Sequence, residues 1–336
     1  MLRALGLKGG TSRWTVWLTS GLALLLLALA LRNIDWAALP TTLAAVNPGW
    51  LTAAAAVLAL SYWARGMRWY LLLPAAPQLT PGLAFHATMA GYLGSSVLPA
   101  RAGELIRALL LQRRSGISLS LIVATVVIER LGDVIMLVLA GGAVLLTVDQ
   151  MPDWLLQAAQ LLVPLSIVGT IGLVLAPRLE QPIARLIGLL PIRSGRQQQL
   201  QQLSAKFMTG MALIGEPRRA FFFVALTAAA WLLDALVIIW LAAGMQLGLS
   251  LAAALILLAA LGLASVLPST PGYVGIYQFV AVTVLPLFAV SETDALAFML
   301  IFQALTYLVT IGLGGWGFRA AVRLLRAPAV DAETPA

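Results

Sequence analysis

The sequence predicts an all-α polytopic membrane protein with about six full transmembrane helices plus two broken re-entrant helical hairpins, arranged as an inverted repeat. Three observations carry this. Of the 336 residues, 61% are hydrophobic and 10% charged, against roughly 45–50% and about 25% in a soluble domain. Mean hydropathy is +0.96 over the whole length, so most of the chain needs lipid as its solvent. Finally, one short break motif occurs twice, at the same place in the hydropathy plan of each half.

The first apolar run, Trp14 to Leu31, follows Arg3, Lys8 and Arg13. Ala28-Leu29-Ala30 also fits a signal-peptide cleavage site, but cleavage there deletes one crossing from the first repeat. A second span, Leu51 to Leu73, ends in the basic-aromatic stretch YWARGMRWY, which holds Arg65 and Arg68. Gly82 to Val97 is interrupted at LPARAG and followed by a short arm ending at Arg113 and Arg114. Neither arm reaches the ~20 residues that span a bilayer. Residues 82–112 therefore read as a hairpin that enters and leaves on one side.

Residues 118–146 can cross with tilt although Glu129, Arg130 and Asp133 lie near the midpoint. Trp154 to Leu175 crosses again. Residues 177–219 are the only long polar stretch, with Leu200, Leu203, Phe207, Met211 and Ile214 at helical spacing, which predicts an amphipathic segment on the cytoplasmic membrane surface. Ala220 to Ala243 spans. A second hairpin, residues 251–288, is broken at PSTPG, and Ala295 to Phe318 makes the last crossing. Residues 1–147 form the first repeat, 148–326 the second, and 327–336 a disordered tail.

The formal charge of +8 follows from topology. With the N-terminus inside, the inner loops collect fifteen basic residues and the outer loops only Arg32, alongside Asp35, Asp149, Asp153, Glu292 and Asp294. That bias puts both termini in the cytoplasm. No soluble basic domain exists to bind nucleic acid. With no cysteine and a single histidine, His86, the chain can form no disulfide and no zinc site with two histidines. Neither a metal nor a cofactor is expected.

Ser96-Val97-Leu98-Pro99-Ala100-Arg101-Ala102-Gly103-Glu104 aligns without a gap on Ser265-Val266-Leu267-Pro268-Ser269-Thr270-Pro271-Gly272-Tyr273. Further on, the LVLAGG ending at Gly142 matches the TIGLGG ending at Gly315, after an offset that changes by four residues. An odd number of full crossings separates the two hairpins, so they enter from opposite sides. Inverted repeats with broken helices near the midplane are a construction used for alternating access.

Each ionised group at the centre of a spanning helix costs roughly 2.5–3.5 kcal/mol, so Glu129, Arg130 and Asp133 must face protein or water. Arg130 and Asp133 pair at i,i+3, and Glu129 shares a face with Asp133, leaving one carboxylate that needs a cation from elsewhere. Arg101 and Arg107 are the candidates. After Pro99 the short arm begins near Gly103, and its unpaired N–H groups next to Arg101 and Arg107 make a phosphate-binding arrangement. The second hairpin offers Ser269, Thr270, Gly272 and Tyr273, hydrogen-bond donors without charge. Arg65 and Arg68 read as holders of lipid phosphates at the inner surface or as ordinary topology determinants. Asp234 reads as an interhelical hydrogen-bonding residue or a functional one, and His86 as a structural polar contact.

The succession WARGMRWYLLL, GYLGSSVLPARAGELIRALLL, VVIERLGDVIML and SVLPSTPGYVGIYQF resembles the lysylphosphatidylglycerol synthase transmembrane-region family, also called flippase-like membrane proteins. The resemblance implies lipid translocation, with Arg101, Gly103, Glu104, Glu129, Arg130, Asp133, Pro268, Pro271 and Gly272 in the motif positions. In the family's namesake a soluble aminoacyl-transferase domain follows. This chain ends at Ala336, so lysine transfer is not expected of it. The expectation is a transporter in the bacterial inner membrane for an amphipathic lipid with a phosphate-bearing or polar headgroup, of phospholipid, aminoacyl-phospholipid, polyprenyl-phosphate or hopanoid type. A lipid-synthesis enzyme is a candidate partner at the cytoplasmic face. Two alternatives stand beside it: a membrane-embedded lipid-modifying enzyme using Glu104, Glu129 or Asp133 as acid and base, and a small-solute transporter.

Overall fold

A computed structural model describes residues 13–98, 102–145, 153–175, 180–189, 194–212, 216–265 and 271–326. Among these residues there are thirteen α-helices, two 3-10 turns and no strand. In the first half α1 is Arg13–Ala30, α2 Leu39–Ala44, α3 Pro48–Leu71, α4 Pro81–Val97, α5 Ala102–Ser115 and α6 Leu119–Leu145. In the second, α7 is Asp153–Leu175, α8 Glu180–Gly188, α9 Ser194–Ala212, α10 Pro217–Gly244, α11 Leu251–Ala264, α12 Ile276–Val284 and α13 Glu292–Arg326, with 3-10 turns at Pro271–Tyr273 and Leu285–Phe288.

Local chemistry sets several of the helix starts. Asn47 accepts from the Gly49 N–H at 2.8 Å ahead of Pro48, and Thr80 accepts from Leu83 N–H at 3.1 Å ahead of Pro81. Ser250 caps α11 through the Ala253 N–H at 3.2 Å. Each side-chain oxygen satisfies a backbone donor that has no partner inside the helix, and proline fits the first turn because its missing N–H is not needed there. The described helices end and begin on either side of LPARAG and PSTPG: α4 ends at Val97 and α5 starts at Ala102, and α11 ends at Ala264 and the next described helical turn is Pro271–Tyr273. Arg101, Ser269 and Thr270 lie outside the described residues, as do Pro99 and Pro268.

α10 and the Glu292–Arg319 part of α13 are each 28 residues long and apolar enough to cross a membrane, about 42 Å at the helical rise against a hydrocarbon core of about 30 Å. Burial is inside-out relative to a water-soluble protein. Arg68 and Glu129 are fully buried, while Leu161, Leu165, Val168 and Leu308 are each more than 60% exposed. Helices that hide their charges and present leucine outward are solvated by lipid.

The described part of residues 177–219 holds two helices, α8 and α9, and α9 packs on both α8 and α6, with Met208 joining the core under α3 to α6. The glutamines explain this: Gln197 donates to the Ile187 and Gly188 carbonyls at 3.2 and 2.6 Å, and Gln201 to Ala184 at 3.4 Å, so they cap the end of α8, whose last carbonyls have no helical partner. The connection after the first span also contains α2, and Asp35 accepts from the Ala37 and Ala38 N–H groups in the turn just before it.

α3 lies along α10, α4 between α5 and α13, and α6 against α7 and α11, while α12 contacts α1, α11 and α13. α4 and α5 cross so closely that a Cβ on Gly103 would overlap the Gly91 carbonyl oxygen and the Ser95 backbone. Only glycine permits that approach.

Candidate functional site

A ladder of polar residues on α3 builds the centre of the site. Ser61, Tyr62, Arg65, Arg68 and Trp69 recur at helical spacing and are all buried, so they form one stripe aimed into the bundle. Arg68 donates to Asp133 Oδ1 at 2.5 Å and to Glu129 Oε1 at 2.8 Å. Arg107, from α5, donates to Glu129 Oε2 at 2.8 Å. Each oxygen of Glu129 is thus held by an arginine from a different helix. Arg65 reaches across to α10, 2.5 Å from Asp234, and lies 3.9 Å from Asp133. Ser61 donates to the other Asp234 oxygen at 2.5 Å, and the Trp231 indole N–H to Asp133 at 3.1 Å.

The sequence expectation that Arg130 pairs with Asp133 holds at 3.5 Å. The further cations are Arg107, as expected, and Arg68 and Arg65, which were not assigned to this cluster. Arg65 and Arg68 are 7% and 0% exposed, inside the bundle and paired with carboxylates where the sequence reading put them at the inner surface. The guanidiniums stack on rings as well, Arg65 over Trp231 and Arg107 over Trp69 at 4.6 Å, a contact that helps hold a desolvated cation. Among the described residues, arginines 65, 68, 107 and 130 meet Glu104, Glu129, Asp133 and Asp234, so the cluster is charge-balanced. That balance offsets the cost of burying each ion.

Beside the cluster is a cavity of about 260 Å³. One wall is ionic, with Arg65, Glu104, Arg130 and Asp234. The facing wall is neutral, with Gly272, Tyr273 and Tyr277 of the second hairpin and Gln303, Thr306, Tyr307 and Thr310 of α13. The residues on α13 follow i, i+3, i+4, i+7 spacing, one face of a helix. This wall is held by hydrogen bonds: Tyr307 Oη and Gln303 Nε2 both donate to the Gly272 carbonyl, at 2.7 and 3.1 Å, and Gln303 is joined to Gln278. Gly272 has a φ of +71°, and a Cβ there would overlap the Tyr307 hydroxyl, so glycine is required on both counts.

Of the candidate residues, the structure brings Arg65, Glu104, Arg130, Gly272 and Tyr273 to the cavity. Arg68, Arg107, Glu129 and Asp133 form the ion network behind it, and Gly103 sits at the α4–α5 crossing. His86 stacks edge-on against Trp316 at 4.5 Å, and its Nδ1 is buried without a hydrogen-bond partner among the described residues, so the contact is aromatic where a polar one was expected. Sequence reasoning missed Tyr62, Tyr92, Trp231 and the α13 stripe. The signal was present in the tyrosines: five of the chain's six line this cavity, although tyrosine in membrane proteins is expected mainly at the lipid–water boundary.

Comparison with curated proteins finds no match. Among protein families, the model of the lysylphosphatidylglycerol synthase TM region matches residues 16–314, a stretch that contains the cavity, the ion network and both broken hairpins. The chain belongs to the lysylphosphatidylglycerol synthase transmembrane-region family of membrane proteins.

Proposed function

We propose that this protein moves an amphipathic lipid with a phosphate-bearing or polar headgroup between the leaflets of the bacterial inner membrane, without changing it covalently. The observation that carries this reading is the cavity between the two hairpins, with arginines on one wall and neutral donors on the other. Its volume lies below the roughly 300–1,000 Å³ of pockets that enclose a whole drug-sized ligand. It suits a headgroup, with the acyl chains left in the bilayer.

The reading includes six full spans, with both termini in the cytoplasm, and an inverted repeat in which α3 corresponds to α10, the α4–α5 hairpin to α11–α12, and α6 to α13. The packing supports this correspondence. α3 and α10 are neighbours; α6 packs on α11 as α13 packs on α4; and α3 touches α4 as α10 touches α11. The glycines of the repeat agree: Gly141 faces Ala259 on α11, and Gly314 faces Met89 and Leu93 on α4. Shifting Ala259 back by the repeat offset gives Ala90, between those two contacts. Rocking of two such units about the shared site exposes it to each leaflet in turn.

The test uses proteoliposomes containing fluorescent phosphatidylglycerol, with leaflet transfer followed by an impermeant quencher and the lipid recovered for mass spectrometry. Native protein should speed transfer and return the lipid unaltered, and Arg130→Gln should abolish the acceleration. Transfer equal to protein-free vesicles, or a covalently altered lipid, overturns the reading.

A further inference from the structure

The ion pairs of the cluster differ in how closed they are. The side chains joining Arg68, Arg107, Glu129 and Asp133 are at most 6% exposed, and Arg65 and Asp234 are 8% and 14% exposed. Arg130 and Glu104 are 32% and 25% exposed, and both line the cavity. Arg130 brings Nε and Nη2 to the same carboxylate oxygen, Oε1, at 2.8 Å each. A parallel fork would place one donor on each of two oxygens, the stronger arrangement that a phosphate also offers.

We propose that Glu104 is an exchangeable counter-ion: its carboxylate occupies Arg130 until the phosphate of a headgroup displaces it, and its return drives the headgroup off. The proposal rests on the transport reading above and names the group that sets headgroup affinity. Three features fit the exchange. Glu104 belongs to the first turn of α5, where the helix dipole stabilises a carboxylate after it leaves Arg130. Arg130 also has Asp133 at 3.5 Å, a second carboxylate beside it when Glu104 leaves. On the facing wall the repeat puts Tyr273 where the first hairpin has Glu104, and there Gln303 and Tyr307 hold the Gly272 carbonyl. Only the wall with an arginine to release carries a carboxylate that can release it.

An ordinary substrate contact and an exchangeable counter-ion predict opposite signs. Removing the charge of a contact weakens binding, whereas removing a competitor tightens it. The experiment is calorimetric titration of the purified full chain in detergent with dihexanoyl-phosphatidylglycerol and, separately, with inorganic phosphate. Glu104→Gln should bind the short-chain lipid about tenfold more tightly than native, the scale on which a charge-assisted hydrogen bond exceeds a neutral one. Arg130→Gln should lose at least tenfold, and the double variant should bind no better than Arg130→Gln alone. Glu104→Asp, with a shorter reach, should gain less than the glutamine variant.

A gain for both probes assigns the exchange to phosphate itself, and a gain for the lipid alone assigns it to the phosphodiester with its glycerol. In vesicles Glu104→Gln should transfer lipid more slowly than native despite its tighter binding, because release has lost its driving group. Equal or weaker binding by a Glu104→Gln protein that melts like native overturns the exchange and leaves the transport reading standing. Absence of binding by native protein and every variant overturns both.

Discussion

Arg65 on α3 and Asp234 on α10 pair at 2.5 Å across the seam where these two helices pack along each other, with Ser61 donating to the second carboxylate oxygen. Arg65 is buried and Asp234 half-buried, so removing one partner leaves the other with only weaker compensation, Arg65 with Asp133 at 3.9 Å and Asp234 with the Ser61 hydroxyl. Arg65→Met or Asp234→Leu alone should each destabilise by about 2–3 kcal/mol, below the full cost of breaking a buried pair. The double variant should lose less than either single one, because no ion is stranded. Melting of the purified protein in detergent measures all three, and strictly additive losses would show that the two side chains act independently.

The α4–α5 crossing makes a second prediction. A methyl at Gly103 meets backbone atoms of Gly91 and Ser95, which cannot rotate away. Gly103→Ala should therefore cost about 3 kcal/mol, the upper part of the usual overpacking range, and open the hairpin. Gly312, on α13, has nothing within 4 Å of its added Cβ, and Gly312→Ala should be neutral or stabilising by about 0.5–1 kcal/mol. Equal melting temperatures for the two variants would contradict this account of the hairpin.

On the neutral wall, Tyr307 and Gln303 both donate to the Gly272 carbonyl, but only Gln303 also holds Gln278. Tyr307→Phe leaves the carbonyl one donor and should cost about 1 kcal/mol. Gln303→Leu strips a donor from Gly272 and a partner from the buried Gln278, so it should cost about 2–3 kcal/mol. The order of the two melting temperatures checks the assignment.

These contacts also explain what could be read in advance. The hairpin breaks at LPARAG and PSTPG were legible because proline and glycine interrupt an otherwise apolar pattern within one segment. The pairing of Arg130 with Asp133 was legible because i,i+3 neighbours meet on any helix. Arg65 and Asp234 are 169 residues apart, and periodicity along a single helix carries no information on which stripe faces which. Arg65 and Arg68 looked like boundary residues because arginine beside tryptophan is the ordinary membrane-edge pattern. Here the same residues supply the cation–π and ion-pair contacts of a buried cluster. The α13 stripe of Gln303, Thr306, Tyr307 and Thr310 was visible as spacing, but its uncharged side chains drew no attention beside Glu129 and Asp133.

The opposed orientation of the hairpins can be tested directly because the chain contains no cysteine. Ala75 precedes the first hairpin and Gly248 the second, and both are exposed. An added side chain at Gly248 meets nothing within 4 Å, so a cysteine fits there without displacing a neighbour. If the repeat is inverted, the two hairpins enter from opposite faces and these positions lie on opposite sides. In spheroplasts an impermeant maleimide should label Gly248→Cys, from the periplasmic side, and spare Ala75→Cys until the membrane is permeabilised. The positive-inside bias of the basic residues predicts the same polarity. Labelling of both positions from one side would remove the two-fold relation between the halves. The match of Gly141 and Gly314 would then reduce to two glycines that happen to pack against neighbouring helices, and alternating access would need a different moving part.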